Sequence, residues 1–147
     1  MSATTEEAFP GFPWLTEEAP DAQPDALSRP YWESVAVGGM AVPRCTACGR
    51  VTFPPRPLCP SCLRPGTLAW VEAGPLGHIH SFTICHRATV SGFVPPYPVL
   101  QVALDEPAGL SLLAYGRGIA APRIGLPVRR AAPLRRHGIA YPVFVEA

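Results

Sequence analysis

Two Cys-x-x-Cys pairs constrain this chain more than any other feature of its sequence. Cys45 and Cys48 form the first pair, and Cys59 and Cys62 form the second after ten intervening residues. Two residues between the sulfurs let the backbone curl so that both thiolates reach one ion, and two such pairs at this separation are typical of a four-thiolate metal site. The surrounding segment is poor in apolar residues, so we expect metal ligation to supply most of its stability.

The four cysteines leave two other chemistries to consider. Two disulfides would need an oxidising compartment, whereas Glu6 and Glu7 stand where an export signal would carry positive charge. We therefore expect a reduced, cytoplasmic protein. Four cysteines fill all four coordination positions, which favours a structural site over a catalytic one. Zinc is the expected ion, and rubredoxin-like iron is the alternative because it uses the same ligands.

The proline content argues against a helical bundle. The chain holds 20 prolines and 13 glycines among 147 residues, and 48% of its residues are hydrophobic. Helices tolerate proline only in their first turn, so short strands should dominate. From Gly74 onward, five strand-like segments predict a small closed barrel or a sandwich; they span residues 77–87, 98–105, 109–116, 127–132 and 140–146. No apolar run approaches the ~20 residues of a membrane span.

The first part of the chain reads differently. We expect a short helix that starts at Ser28 as N-cap, with Pro30 in its first turn, and stops at two glycines. Apolar residues in the preceding tail predict that it packs on its own domain or docks on a partner; they are Phe9, Phe12, Trp14 and Leu15. The predicted units are an acidic, proline-rich tail, a helix, a zinc ribbon and a barrel, over residues 1–27, 28–41, 42–72 and 73–147.

Charge is distributed unevenly along the chain. Residues 1–33 carry a net charge of −6 and residues 34–147 carry +7. A basic body suits an anionic partner such as nucleic acid or a phosphate-bearing cofactor. All twelve Lys/Arg positions are arginine. Genomic base composition is the main explanation, and a preference for guanidinium–phosphate pairs is the weaker one.

The order of these features resembles the acyl-CoA-associated zinc-ribbon/OB-fold family, formerly a domain of unknown function, whose members accompany thiolase-like enzymes. The ribbon match covers Tyr31-Trp32-Glu33, Arg44 to Arg50, and Phe53 to Cys62. The barrel match covers Gly77 to Thr83, His86-Arg87, Gly92-Phe93, Pro96-Tyr97, Leu104 to Glu106, and Ile124 to Val128. One departure is Leu63, which stands where a glycine usually follows the second cysteine pair.

The resemblance implies a mainly β fold: a short N-terminal helix, a rubredoxin-like zinc ribbon and a five-stranded OB barrel. It also implies a non-catalytic subunit of a hetero-oligomer with a thiolase-fold or lipid-transfer-protein-like enzyme that makes or breaks carbon–carbon bonds in acyl-CoA esters, including steroid side chains. We assign no catalytic residue to this chain, although a direct enzymatic role stays open.

Ligand contacts are expected around the loop that follows the first barrel strand. Phe93 and Tyr97 are candidate apolar anchors for the acyl group or a partner. Three arginines are candidates to meet CoA phosphates through charge-assisted hydrogen bonds; they are Arg87, Arg117 and Arg123. The alternatives are a single-stranded nucleic-acid-binding module, since zinc ribbons and OB folds do that work too, and electron transfer through iron at the four cysteines.

Overall fold

The computed structural model describes residues 7–147. Glu6, one of the two acids that argued against an export signal, lies outside the described residues, as does the start of the predicted tail. Within the described part of the chain, no helix is both long and apolar enough to cross a bilayer.

The helix lies where the sequence predicted it. α1 spans Arg29–Ala36 and buries Tyr31 and Val35, so it starts just after Ser28 and stops before the two glycines. Ser28 stands at the N-cap, but its side chain does not cap the helix. Its Oγ accepts from the Asp25 N–H at 3.1 Å, and the Ser28 N–H donates to the Asp25 carboxylate at 2.7 Å. Gly38 takes a φ of +85° just past the end, a conformation that glycine adopts without the steric cost of a Cβ.

The ribbon is a two-stranded antiparallel sheet that frames the cysteine loops. β1 spans Ala41–Cys45 and β2 spans Leu68–Glu72, and Cys45 lies opposite Leu68 in the register. Val42 and Val51 are buried in the same core as the barrel. The ribbon is therefore attached to the barrel by packing as well as by the chain.

The five remaining strands close into a barrel in the order β3-β4-β5-β7-β6. Their bounds are Leu76–Cys85 for β3, Tyr97–Leu104 for β4, Ser111–Gly116 for β5, Pro127–Arg136 for β6 and Ile139–Glu146 for β7. A short parallel pairing of β5 with β7 closes the barrel, while its other pairings are antiparallel. The predicted fold class is confirmed, and the barrel decides between the two β architectures that the sequence left open.

Two hydrophobic cores hold the molecule together. The barrel core contains Ile79, Val102 and Phe144, all fully buried, and extends beneath α1 and the ribbon. The second, which we call the arm core, joins the N-terminal segment to the outside of β6 and β7 through Phe12, Leu15 and neighbouring residues. Residues 7–22, termed the arm below, thus pack on their own domain. The four predicted domain boundaries stay predictions.

Candidate functional site

The four cysteines converge as their spacing predicted. Their sulfurs all lie within 4.8 Å of one another, and the Cys45–Cys62 and Cys48–Cys59 Sγ pairs are each 3.7 Å apart. In a tetrahedral zinc site with bonds of about 2.3 Å, neighbouring sulfurs are about 3.8 Å apart. The cluster therefore has the dimensions and donor set of a closed zinc–thiolate site.

The two cysteine loops repeat one backbone turn. The Gly49 N–H donates to the Cys45 carbonyl at 2.8 Å, and the Leu63 N–H donates to the Cys59 carbonyl at 2.9 Å. Both residues have positive φ, +76° for Gly49 and +61° for Leu63. Leu63 thus holds the glycine conformation that its departure from the family pattern put in question, at a steric cost that glycine avoids.

Hydrogen bonds prepare two of the sulfurs for metal binding. Thr67 Oγ1 lies 3.1 Å from Cys45 Sγ, and this contact, together with the backbone N–H groups of Cys48 and Ala47, lowers the pKa of Cys45 to about 6. Backbone N–H groups, that of Cys62 first, lower the pKa of Cys59 as well. Because the thiolate is the form that ligates a metal, these contacts favour the metal-binding state.

A separate aromatic groove lies on the outside of the barrel and has a volume of about 670 Å³. Its lining comes from the arm, α1, the ribbon, the loop before β4, and strands β4, β5 and β7. Its aromatic lining includes Trp14, Trp32, Phe53, Phe93, Tyr97 and Tyr115. None of its seventeen lining residues carries a charged side chain.

The structure separates the predicted ligand-contact residues. Phe93 and Tyr97 both line the groove, with ring centroids 5.3 Å apart. Arg87 lies exposed beyond the end of β3, and Arg123 lies exposed between β5 and β6. Arg117 packs over the Phe12 ring, 5.5 Å from its centroid. The three arginines are absent from the lining of the groove.

Sequence reasoning missed most of the groove. Trp14 drew attention as an apolar residue in an acidic tail, but nothing in the sequence placed it beside Tyr97 and Tyr115, whose rings lie 5.6 and 5.7 Å from its own. Leu113 is 66% exposed and lines the groove from β5. The sequence did not show that the outer face of β5 borders a cavity.

Two family models match the chain in succession. Residues 32–67 match the rubredoxin-like zinc ribbon domain of ChsH2, and residues 70–132 match its C-terminal OB-fold domain. The chain belongs to the ChsH2/DUF35 family. This confirms the acyl-CoA-associated family that the motifs indicated. Together with the sulfur cluster, it also confirms that the four cysteines form a structural zinc site.

Similar proteins cover the chain to different extents. A probable enoyl-CoA hydratase alpha subunit of Thermomonospora curvata is 35% identical over 102 residues, which are 67% of this chain and 30% of that protein. A DUF35 domain-containing scaffold protein of Methanothermobacter thermautotrophicus is 38% identical over 66 residues, 44% of this chain and 50% of that protein. The chain thus matches half or less of the length of these curated relatives.

Solved structures extend the comparison to the whole fold. A chain of the Ltp2-ChsH2(DUF35) aldolase superposes with a TM-score of 0.73 and 29% identity, covering 86% of this chain and 98% of that one. A DUF35-family protein of unknown function from Sulfolobus solfataricus superposes with a TM-score of 0.57 over 83% and 86% of the two chains. At 18% identity, the second likeness shows the fold alone.

Proposed function

We propose that this chain is a non-catalytic accessory subunit of an enzyme that acts on acyl-CoA esters, and that it binds a thiolase-fold or lipid-transfer-protein-like subunit in a hetero-oligomer. The names of similar proteins support this role: one is an enoyl-CoA hydratase alpha subunit, one a scaffold protein and one part of an aldolase. The partner then supplies the reactive groups, because the zinc site of this chain is closed by four thiolates and keeps no position for substrate.

The observation that carries ligand binding is the charge-free aromatic groove. Its volume of about 670 Å³ lies within the roughly 300–1,000 Å³ of small-molecule sites. Phe93 and Tyr97 line it, so we assign them to the acyl group. Exposed Arg87 and Arg123 are assigned to the CoA phosphates outside it, whereas the contact with Phe12 gives Arg117 a packing role in addition to its candidate phosphate contact.

Co-purification from the native host tests the accessory role. We expect the chain to be recovered with a thiolase-fold subunit, and we expect the complex to bind acyl-CoA more tightly than CoA in a calorimetric titration. Recovery of the chain alone, together with no affinity for either compound, would refute the proposal.

Variants of the complex separate the two ends of the ligand. Phe93→Ala should weaken acyl-CoA binding and leave CoA binding unchanged, because only the acyl group reaches the groove. Val94→Ala is the matched control, since Val94 is the neighbouring residue and is 52% exposed. Arg87→Ala should weaken the binding of both acyl-CoA and CoA, and this loss of affinity should shrink at higher salt, which screens the phosphate contact.

The reaction class is a further part of the proposal. We propose that the complex forms or cleaves a carbon–carbon bond in the acyl chain, with steroid side-chain thioesters among the substrates to test. Product analysis with such thioesters checks this. Steeply salt-dependent binding of a single-stranded oligonucleotide would instead favour the nucleic-acid alternative, and the arginine-free lining of the groove does not support that reading.

A further inference from the structure

The groove is bounded on one side by the arm rather than by the barrel alone. Trp14 stacks against Phe93 and Tyr115, with centroids 6.0 and 5.7 Å apart. The arm and the loop before β4 also pair through their backbones: the Val94 N–H donates to the Trp14 carbonyl at 2.8 Å, and the Thr16 N–H donates to the Gly92 carbonyl at 3.0 Å. One wall of the groove is therefore built from two segments that hold each other.

Gly92 shows how closely these segments approach. A Cβ added there would lie 2.0 Å from the Ala19 backbone nitrogen, and Gly92 has a φ of +92°. Both the spacing and the backbone conformation need glycine. The loop and the arm are thus fitted to one another at backbone level.

Charged groups on the β6–β7 turn hold the far end of the arm. Arg136 is only 3% exposed, and its guanidinium donates to the Pro20 carbonyl at 2.9 Å while its Nε lies 3.4 Å from the Asp21 carboxylate. The His137 ring nitrogens lie 2.8 Å from carboxylate oxygens of Asp21 and Glu17. We call these four side chains the clamp. Because a buried arginine is hydrogen-bonded to the backbone of the arm, the docked arm is an integral part of the folded domain.

The chemistry of the groove defines what fits there. Two of its polar side chains bond to each other, because the Gln101 Nε2 donates to the Ser111 Oγ at 2.8 Å. Leu113 leaves two thirds of its surface uncovered among aromatic rings. Covering such surface is favourable by about 25 cal/mol per Å², whereas a charged group would lose its hydration without gaining a partner.

We propose that the groove binds the uncharged, apolar part of an acyl thioester and that the arm, held by the clamp, is its closing wall. This assignment rests on the proposed function and adds the wall to it. Trp14 and the clamp lie outside the stretches that match the two family models, which end at residue 132 and begin at residue 32. This wall is therefore supplied by segments beyond the matched ribbon and barrel.

Binding of an uncharged fluorophore to the isolated full chain tests the assignment without partner or CoA. We would titrate N-phenyl-1-naphthylamine, which fluoresces in apolar sites, and compete it with an acyl thioester. Wild-type protein should bind one equivalent. Leu113→Arg should weaken binding at least about tenfold, since it places a charge in the apolar groove. Leu76→Arg is the matched control, because Leu76 is also a half-exposed strand leucine, away from the groove, and it should bind as wild type does.

The arm needs its own variants. Trp14→Ala should weaken fluorophore binding several-fold. His137→Asn should weaken it less, because His137 holds the arm but does not line the groove. Asparagine is chosen because it tolerates the positive φ of +48° at that position. Unchanged zinc content and far-UV circular dichroism would show that each variant folds. No binding to wild type, or equal binding to all variants, would overturn the assignment while leaving co-purification with a partner intact. Fluorophore binding by the wild-type chain, combined with failure to recover any partner on co-purification from the native host, would instead refute the accessory role alone.

Discussion

The arm core offers the sharpest quantitative test of this structure. Phe12 is fully buried, packs edge-on against Trp14 and Tyr115, and lies beneath the Arg117 guanidinium. Replacing a buried phenylalanine with alanine costs about 3–5 kcal/mol. In Phe12→Ala that cost falls on the docked arm, because Phe12 belongs to the core between arm and barrel and not to the barrel core.

The expected consequence is local opening of the arm. At about 1.4 kcal/mol per factor of ten, a loss of 3–5 kcal/mol raises the population with an open arm by roughly two to three and a half orders of magnitude. Phe12→Ala can lower the free energy of unfolding of the whole domain by no more than the free energy that docking of the arm contributes. The barrel should therefore stay folded in Phe12→Ala, and its denaturation midpoint should shift less than it does when a residue of the barrel core is truncated in the same way.

Native-state hydrogen exchange measures both quantities in one experiment. The reporters for the arm are the amides of Thr16 and Ala22, which donate to the Gly92 carbonyl at 3.0 Å and to the Tyr141 hydroxyl at 2.9 Å. Phe144→Ala is the control, since it is the same substitution at an equally buried site in the barrel core, and it should lower protection throughout the barrel. Equal loss of protection in arm and barrel for Phe12→Ala would refute the reasoning, because the arm would then not be a separate unit.

Three further predictions concern the zinc site and the clamp. Chelation of the metal, or Cys48→Ser, removes a binding free energy on the order of 10–16 kcal/mol, so we expect the β1–β2 ribbon to unfold and the remaining cysteines to become alkylated, as mass spectrometry would show. Leu63→Gly relieves a positive φ at an exposed site and should stabilise the ribbon by about 0.5–1 kcal/mol in thermal unfolding, whereas Leu58→Gly should destabilise it. Hydrogen bonds to Asp21 and Glu17 raise the pKa of His137, so the stability of the clamp should be lost as pH rises through that raised value. The hydrogen bond with His137 lowers the pKa of Asp21, so the stability of the clamp should also be lost as pH falls through that lowered value. The protection factor of the Ala22 amide, which corrects its exchange rate for the intrinsic pH dependence of amide exchange, should pass through a maximum between these limits, and His137→Asn should remove the alkaline side of the profile.

Local patterns account for the parts of the fold that the sequence predicted well. The spacing of the cysteines brought four sulfurs together because each pair closes its own turn. Prolines and glycines between strand-like segments marked all five barrel strands to within a few residues, except that β6 continues to Arg136. α1 ends before the two glycines, as predicted, because Gly38 takes a left-handed conformation. The Ser28 side chain does not cap α1 and bonds with Asp25 instead.

What the sequence by itself determined is therefore the chemistry of the metal site and the β character of the body, since both depend on neighbours within a few residues. The tertiary structure alone decided the rest. The groove joins Trp14 to Tyr115, and the clamp joins Asp21 to His137 across more than a hundred residues. Sequence periodicity cannot predict such pairs. The acids and aromatic rings of the arm acquire their partners only when the closed barrel places the β6–β7 turn and β5 beside the arm.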